Sequence, residues 1–494
     1  MRFLDDFERR LDRAPRWSLA ALGGLVALAI AVAVHYPFLG DFFALDDFIA
    51  LYQVEKRDLA TLLRDAFALP QDARFERISP FWRPMGLLYF DFTHAAFGLE
   101  PAPYHVVNVL LHGLNAVLLA VLVALLSRSA FAAASAAIVF AVLPTYDIAV
   151  LWISQGFELL AVAFGLASLT LFALYVRHRG SRRLLYAAAI VTALLALMAK
   201  ESSPFLLVML FPMFVVLEGW PDIRSKALKP LAPLVPFGLL LGLYTLFIVV
   251  QEHALGTSSH KVGTHIVDNL QFYLRWMTLP IPYTWGSWVE AASHVTAVLL
   301  LSGILFAVAT GRTLVVFFAV WMLVALLPVL PFATGVELRY TYIPSLGLAA
   351  MAGLAIDAAR RWLGRVRFRW ANLVTIVGVL VLAVFLSTRA RDQQHWLHAQ
   401  ASLLETFVED VGAQCGTPLP RSVLVLNSPI PDPYDLRLRS AVNIYYGGST
   451  EIEVTRFEGA SLPVTAASRP DGCALAYRDG RYHLAETISG TSGQ

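Results

Sequence analysis

The stretch WSLAALGGLVALAIAVAVHYPFLGDFFALDDFIALYQ, Trp17–Gln53, decides the architecture. Its first half, Trp17 to Val34, is apolar throughout and close to the roughly 20 residues that a helix needs to cross a hydrocarbon core of about 30 Å. Five arginines precede it in residues 1–16, and no small-residue cleavage site follows, so it reads as a retained signal anchor behind a cytoplasmic N-terminus. The second half leaves the bilayer and starts a new amphipathic pattern. Two adjacent carboxylates, Asp46 and Asp47, stand there at the edge between water and lipid, which is the position of a site.

The rest of the chain extends this reading. Of 494 residues 57% are hydrophobic and 15% charged, a mix that excludes a soluble globular class. The net charge of +2 gives no footing for a nucleic-acid partner. Ten further apolar runs follow: Tyr104–Leu126, Ala130–Tyr146, Gly156–Val176, Leu184–Ala199, Ser203–Leu217, Leu231–Val250, Val295–Thr310, Thr313–Phe332, Thr341–Ile356 and Ala371–Leu386. The expectation is an all-α polytopic membrane protein with about 11 transmembrane helices over residues 17–386. With alternating sides, the cytoplasmic pieces carry 19 Lys and Arg in 52 positions and the opposite loops 10 in 132. That is the positive-inside asymmetry, and it places both the acidic pair and the C-terminus outside. The expected location is a membrane crossed many times, with the N-terminus inside.

The first outer loop, 36–103, is too long for a connector. The acidic pair precedes FIALYQVEKRDLATLLRDAF and is expected to cap an interfacial helix; FWRPMGLLYFDFTHAAF, with Arg83 before Pro84, gives a second amphipathic helix. In the next span His105, Asn108, His112 and Asn115 form one polar stripe. It reads as interhelical hydrogen bonding, with the outermost member, His105, also a site candidate. Asp147 lies in the second outer loop as either a helix cap or a second site carboxylate, and Glu158 needs a partner if buried. Lys200 and Glu201 interrupt two apolar runs, either as a solvated turn with a local ion pair or with Lys200 on an anionic headgroup. The loop 251–292 combines a flexible Gly/Ser/Thr part with an aromatic part suited to an interfacial belt. Arg339 is the single basic residue of its outer segment, able to clamp a phosphate or to pair with Glu337.

Residues 387–494 read as a small extracytoplasmic α/β domain. QQHWLHAQASLLETFVEDV is a helix, RSVLVLN a buried strand, and NIYYGGSTEIEVTRF a hairpin-like strand pair through Gly447 and Gly448. Both cysteines, Cys415 and Cys473, fall in this domain on the oxidising side, so a disulfide is expected.

The acidic pair, then FWRPMGLLYF, GLEPAPYHVVNVLLHGLNAVLL, LPTYDIAVLWISQGFELL, AKESSPF and VELRYTYIPSLG resemble, in this order, membrane glycosyltransferases of the GT-C superfamily. They look most like the TPR-containing transmembrane O-mannosyltransferases and their bacterial relatives, over roughly residues 17 to 360. The chain departs from that pattern at Leu143, where the family has His, at Asp147 for Glu, in lacking the Arg shortly before Glu158, and in having no TPR repeats. The resemblance implies a polyprenyl-phosphate-linked sugar donor, a protein, lipid or glycan acceptor on the outer face, Asp46 or Asp47 as base, and Arg339 with Lys200 near the donor phosphate.

The chemistry agrees with these residue types. Displacing a lipid phosphate from a sugar carbon needs a carboxylate to take the acceptor's proton and cations to stabilise the leaving phosphate. In an adjacent acidic pair one member acts while the other orients it or holds a divalent cation; the sequence leaves metal use open. A transporter or flippase of polyprenyl-linked sugars, and a non-catalytic membrane scaffold, are the alternatives from other classes.

Overall fold

A computed structural model describes residues 16–55, 58–67, 82–219, 229–255, 261–281, 286–333, 336–366, 368, 370–430, 435–455 and 472–485. The N-terminal arginines up to position 13 and positions 256–260 of the Gly/Ser/Thr part of the loop 251–292 lie outside them.

Each of the eleven apolar runs contains a helix, although Ala130–Tyr146, Ser203–Leu217 and Thr313–Phe332 are not helical throughout. Among the described residues, seven stretches are long and apolar enough to cross a bilayer: Ala20–Phe38, Pro101–Ser127, Ile153–Arg177, Leu231–Val250, Ser287–Ala309, Leu338–Arg365 and Ala371–Cys415. Four others, Ala130–Tyr146, Arg183–Ala199, Pro204–Glu218 and Thr313–Leu326, are shorter than that length requires. Leu239, Leu243, Leu246, Leu305, Phe306 and Val381 project outward from three of the long helices. Water would penalise such continuous apolar surface, and a bilayer does not. The protein is an integral membrane protein.

The helices, in chain order, are α1 (Arg16–His35), α2 (Asp47–Glu55), α3 (Leu59–Phe67), α4 (Pro84–Phe97), α5 (Pro101–Ser127), α6 (Ala130–Val142) and α7 (Gly156–Arg177). After α8 (Arg183–Ala199) comes the single turn Pro204–Leu207, then α9 (Leu210–Glu218), α10 (Val235–Leu255), α11 (His265–Thr278), α12 (Ser287–Ala309), α13 (Thr313–Leu326), α14 (Tyr342–Arg365) and α15 (Ala371–Cys415). The bundle centre packs on small residues. A Cβ on Gly353 of α14 would overlap the Ala132 carbonyl of α6, so these two backbones approach more closely than a side chain permits. The polar stripe of α5 is spent inside the bundle: His112 bonds the Tyr342 hydroxyl at 2.9 Å, and Asn115 donates to the Leu159 carbonyl at 3.0 Å. This is the interhelical bonding expected of it, since hydrocarbon offers these groups no other partner.

The last long helix does not end with its apolar part. α15 continues for 45 residues to Cys415, so the boundary expected at 386–387 falls inside one unbroken helix. Beyond it lie β1 (Ser422–Leu426), α16 (Asp435–Tyr446), β2 (Glu451–Thr455), β3 (Gly472–Arg478) and β4 (Arg481–Leu484), in the sheet order β2-β1-β3-β4. β1 runs parallel to β2 and β3, with Val423 opposite both Ile452 and Cys473. Cys415 and Cys473 form the expected disulfide, tying the end of α15 to β3.

The hairpin expected over NIYYGGSTEIEVTRF is not formed. Asn443–Tyr446 close α16 and only Glu451–Thr455 is a strand. Leu438, Ala441 and Val442, all buried, show the i, i+3, i+4 spacing of a helix face, and a parallel β1–β2 pair needs a crossover element between its strands. That tertiary demand outweighs the strand preference of Ile444 and the two tyrosines.

The small domain and the first loop share one apolar core. Phe43, Phe48 and Leu51 of the loop are buried together with Phe407, Val442 and Leu475 of the C-terminal part. The helix expected to lie on the bilayer surface after the acidic pair, α2, is therefore covered by protein instead.

Candidate functional site

The acidic pair sits at a forced bend. Leu45 has φ of +54°, a left-handed conformation unusual for a residue with a branched side chain, and it turns the chain from Phe42 and Phe43 into α2. The two carboxylates then part. Asp47, 1% exposed, accepts from the Ala44 amide at 2.9 Å through one oxygen and from the Ser154 amide and hydroxyl, both at 2.7 Å, through the other. Burial pushes its carboxyl up to about 7, against the downward pull of those hydrogen bonds. The Asp46 side chain is 44% exposed and accepts from Arg437 Nε of α16 at 2.5 Å.

The second loop faces this pair through a short rigid segment, Trp152–Glu158. Asn108 of α5 donates to the carbonyls of Trp152 (3.1 Å) and Ile153 (3.3 Å) while accepting from the Tyr89 hydroxyl at 2.7 Å. A Cβ on Gly156 would collide with the Tyr89 ring and the Asn108 carbonyl oxygen, so the segment crosses here because position 156 has no side chain. The polar side chains of the segment then hold two other parts of the chain, the first loop and the turn after α8. Ser154 holds Asp47, and Gln155 accepts from Lys200 Nζ at 3.0 Å. Glu158 pairs with Lys200 at 2.8 Å and accepts from the Ser202 hydroxyl at 3.0 Å. The Trp152 ring lies 4.5 Å below the Arg339 guanidinium carbon.

The solvated turn expected at Lys200 and Glu201 is not what forms. Lys200 is 6% exposed and paired with Glu158 rather than with its neighbour. Glu201 is gripped by both forks of Arg83, at 2.8 and 2.5 Å, with Arg83 also over the Phe157 ring. A buried lysine requires a desolvated acid beside it, and Glu158 supplies one. Burial pulls the Lys200 amine below its usual range, with Glu158 opposing. Burial likewise pushes the Glu201 carboxyl up, but Arg83 outweighs it and holds the group down to about 2.

Arg339 pairs with the exposed Glu337 at 2.5 Å and stacks on Trp152. His105 meets the Asp41 carbonyl at 3.1 Å through Nε2. Asp147 has its backbone in the turn Pro144–Ala149; its side chain lies outside the described residues. Of the sequence candidates, Arg83, Lys200, Glu201 and Arg339 gather around Trp152–Glu158. Asp47 joins them through Ser154, and Asp46 faces away toward α16. Sequence reasoning missed Ser154, Gln155 and Arg437. The need of a buried Glu158 for a partner was the one available signal, and it did not single out Lys200.

The two carboxylates of the acidic pair are held by different partners. The Asp47 oxygens are taken by three protein donors, and Asp46 is held by a guanidinium from another element. Among the described residues, no group of three or more His, Cys, Asp or Glu side chains lies together as a metal cluster.

No family model matches the chain, and no curated protein matches it. Among solved structures it is similar to the archaeal oligosaccharyltransferase AglB from Archaeoglobus fulgidus, in complex with an inhibitory peptide and a dolichol-phosphate. That match has 12% identity over 90% of this chain and 61% of the other, with a TM-score of 0.47. A second Archaeoglobus fulgidus oligosaccharyltransferase structure, a complex with Zn and sulfate, is similar at 13% identity over 89% and 59%, with a TM-score of 0.43. The chain thus spans about three fifths of the length of these proteins, and likeness at this level assigns neither a reaction nor a ligand.

Proposed function

We propose that the protein is a GT-C type membrane glycosyltransferase that moves a sugar from a polyprenyl-phosphate donor to an acceptor on the extracytoplasmic face. The observation that carries this reading is the gathering of Arg83, Lys200 and Arg339 around Trp152–Glu158, which also holds Asp47, the chain neighbour of Asp46, through Ser154. Breaking a bond between a sugar carbon and a lipid phosphate needs a proton acceptor for the attacking hydroxyl and positive charge for the departing oxygen.

In this reading Asp46 takes the proton, because it is the acid of the pair that an acceptor can reach. Asp47 fixes the bend that presents it. Arg339, planar and stacked, contacts the donor phosphate. Lys200 turns inward and holds Glu158 and Gln155, which frame the same segment.

The test is to incubate the purified full chain in liposomes with a panel of polyprenyl-phosphate hexoses and an envelope extract, and to follow release of polyprenyl phosphate. Release from at least one donor is expected. Turnover of nucleotide sugars instead, or movement of the donor across the bilayer with no release, would refute the reading, the latter in favour of a flippase.

A further inference from the structure

The chain leading into the acidic pair is held from one side by the C-terminal part. Arg391 of α15 donates to the Ala33 and Val34 carbonyls at 2.6 and 3.2 Å, closing the end of α1. His398, about two turns further along α15, meets the Asp41 carboxylate at 2.8 Å. Arg437 of α16 then takes Asp46 at 2.5 Å. Three successive cationic or polar contacts thus fall on positions 33–46, and the last of them lands on the carboxylate itself.

The Arg437 contact differs from the other two in what surrounds it. Arg437 is 13% exposed while its partner is 44% exposed, so the guanidinium is the fixed member of the pair and the carboxylate the one open to a substrate. It is fixed because the next turn of α16 is buried in the core shared with α2, and because Tyr445 packs its ring 5.7 Å from Phe42 and 5.8 Å from Phe48. The apolar contacts of that core do not include the ion pair, so the small domain is expected to stay docked when the pair is removed.

We propose that Arg437 is a positioning residue for sugar transfer: from the C-terminal domain it holds the Asp46 carboxylate in one orientation toward the acceptor. The small domain is on this account part of the reaction centre rather than an appendage. The proposal rests on the reading of Asp46 as the proton acceptor, and it makes orientation, not affinity, the quantity that Arg437 controls.

The experiment uses the full chain in liposomes and measures turnover of a polyprenyl-phosphate hexose at saturating donor, the donor KM, and thermal unfolding for four variants. Arg437→Gln is expected to cut turnover about 10- to 100-fold with the donor KM within about twofold and unfolding unchanged. Arg437→Lys, which can still reach a carboxylate, should restore a substantial part. Arg481→Gln serves as control: it removes another ion pair of the small domain, with Asp410, and should leave turnover at the wild-type level. Asp46→Asn should abolish turnover.

If Asp46→Asn is inactive while Arg437→Gln turns over at the wild-type rate, or faster, the positioning proposal is wrong and the function reading stands. A loss in Arg437→Gln that Lys does not relieve and that Arg481→Gln reproduces marks a structural role and also overturns it. A fully active Asp46→Asn overturns the positioning proposal and the reading of Asp46 as proton acceptor together, while the turnover itself leaves the glycosyltransferase reading standing.

Discussion

Asp47 and Ser154, 107 residues apart in the chain, are joined twice: one carboxylate oxygen accepts both the amide and the hydroxyl of the serine at 2.7 Å. This joint locks the first loop onto the second. Truncating the acid leaves buried donors without acceptors, at about 1–3 kcal/mol for such a group. Asp47→Ala is expected to lower stability by about 2–3 kcal/mol and Ser154→Ala by about 1 kcal/mol. Thermal unfolding in detergent checks the order; an Asp47→Ala chain as stable as wild type would mean that the joint carries nothing.

The same carboxyl gives a pH dependence. Its value is raised by burial from 3.8 to about 7 in the folded chain, so between those values the native state binds more protons than the unfolded one. The contribution is therefore complete below about pH 4 and is lost as pH rises through about 7, on the order of a few kcal/mol in all. Asp47→Asn should flatten that slope. Unfolding midpoints of both chains from pH 4 to 8 measure it, and parallel curves would remove Asp47 as its source.

The two ion pairs around the second loop should respond according to their burial. Lys200→Met strands the buried Glu158 and is expected to cost about 3–5 kcal/mol, recovered in large part by Lys200→Met with Glu158→Gln. Arg83→Gln, at a pair with more water around it, should cost about 1–2 kcal/mol. Equal losses would contradict the assignment of Lys200 and Glu158 as the deeper pair.

Arg339 is held as a plane over Trp152. Lysine keeps the charge but not the fork or the stacking surface. Arg339→Lys should raise the donor KM about tenfold, as expected for a lost contact of about 1.4 kcal/mol, with a smaller effect on turnover. An unchanged KM would take Arg339 out of the donor site.

The membrane architecture was legible because hydrocarbon imposes a length and a composition that nothing else in the chain imitates. The disulfide and the β1 strand were legible too, the first from compartment and the second from a compact apolar run. Long-range pairings were not. Nothing in the order of residues distinguishes Glu158 from Glu201 as the partner of Lys200; bundle geometry decides, by turning Lys200 inward and Glu201 toward Arg83. The link from Asp46 to Arg437 spans 391 positions and two domains, and it depends on α16 being a helix where the tyrosines favour a strand. The sequence left open which member of the acidic pair acts and which orients it; the bend at Leu45 gives one to the interior and one to the surface.

The measurement that bears most directly on the central claim is the turnover of a polyprenyl-phosphate hexose by Asp46→Asn beside wild type, with equal amounts of folded chain in the same liposomes. Asparagine keeps the shape and cannot take a proton, so the account expects sugar transfer to fall by at least about a hundredfold while the donor still binds. Transfer at the wild-type rate would show that the exposed carboxylate is not the proton acceptor.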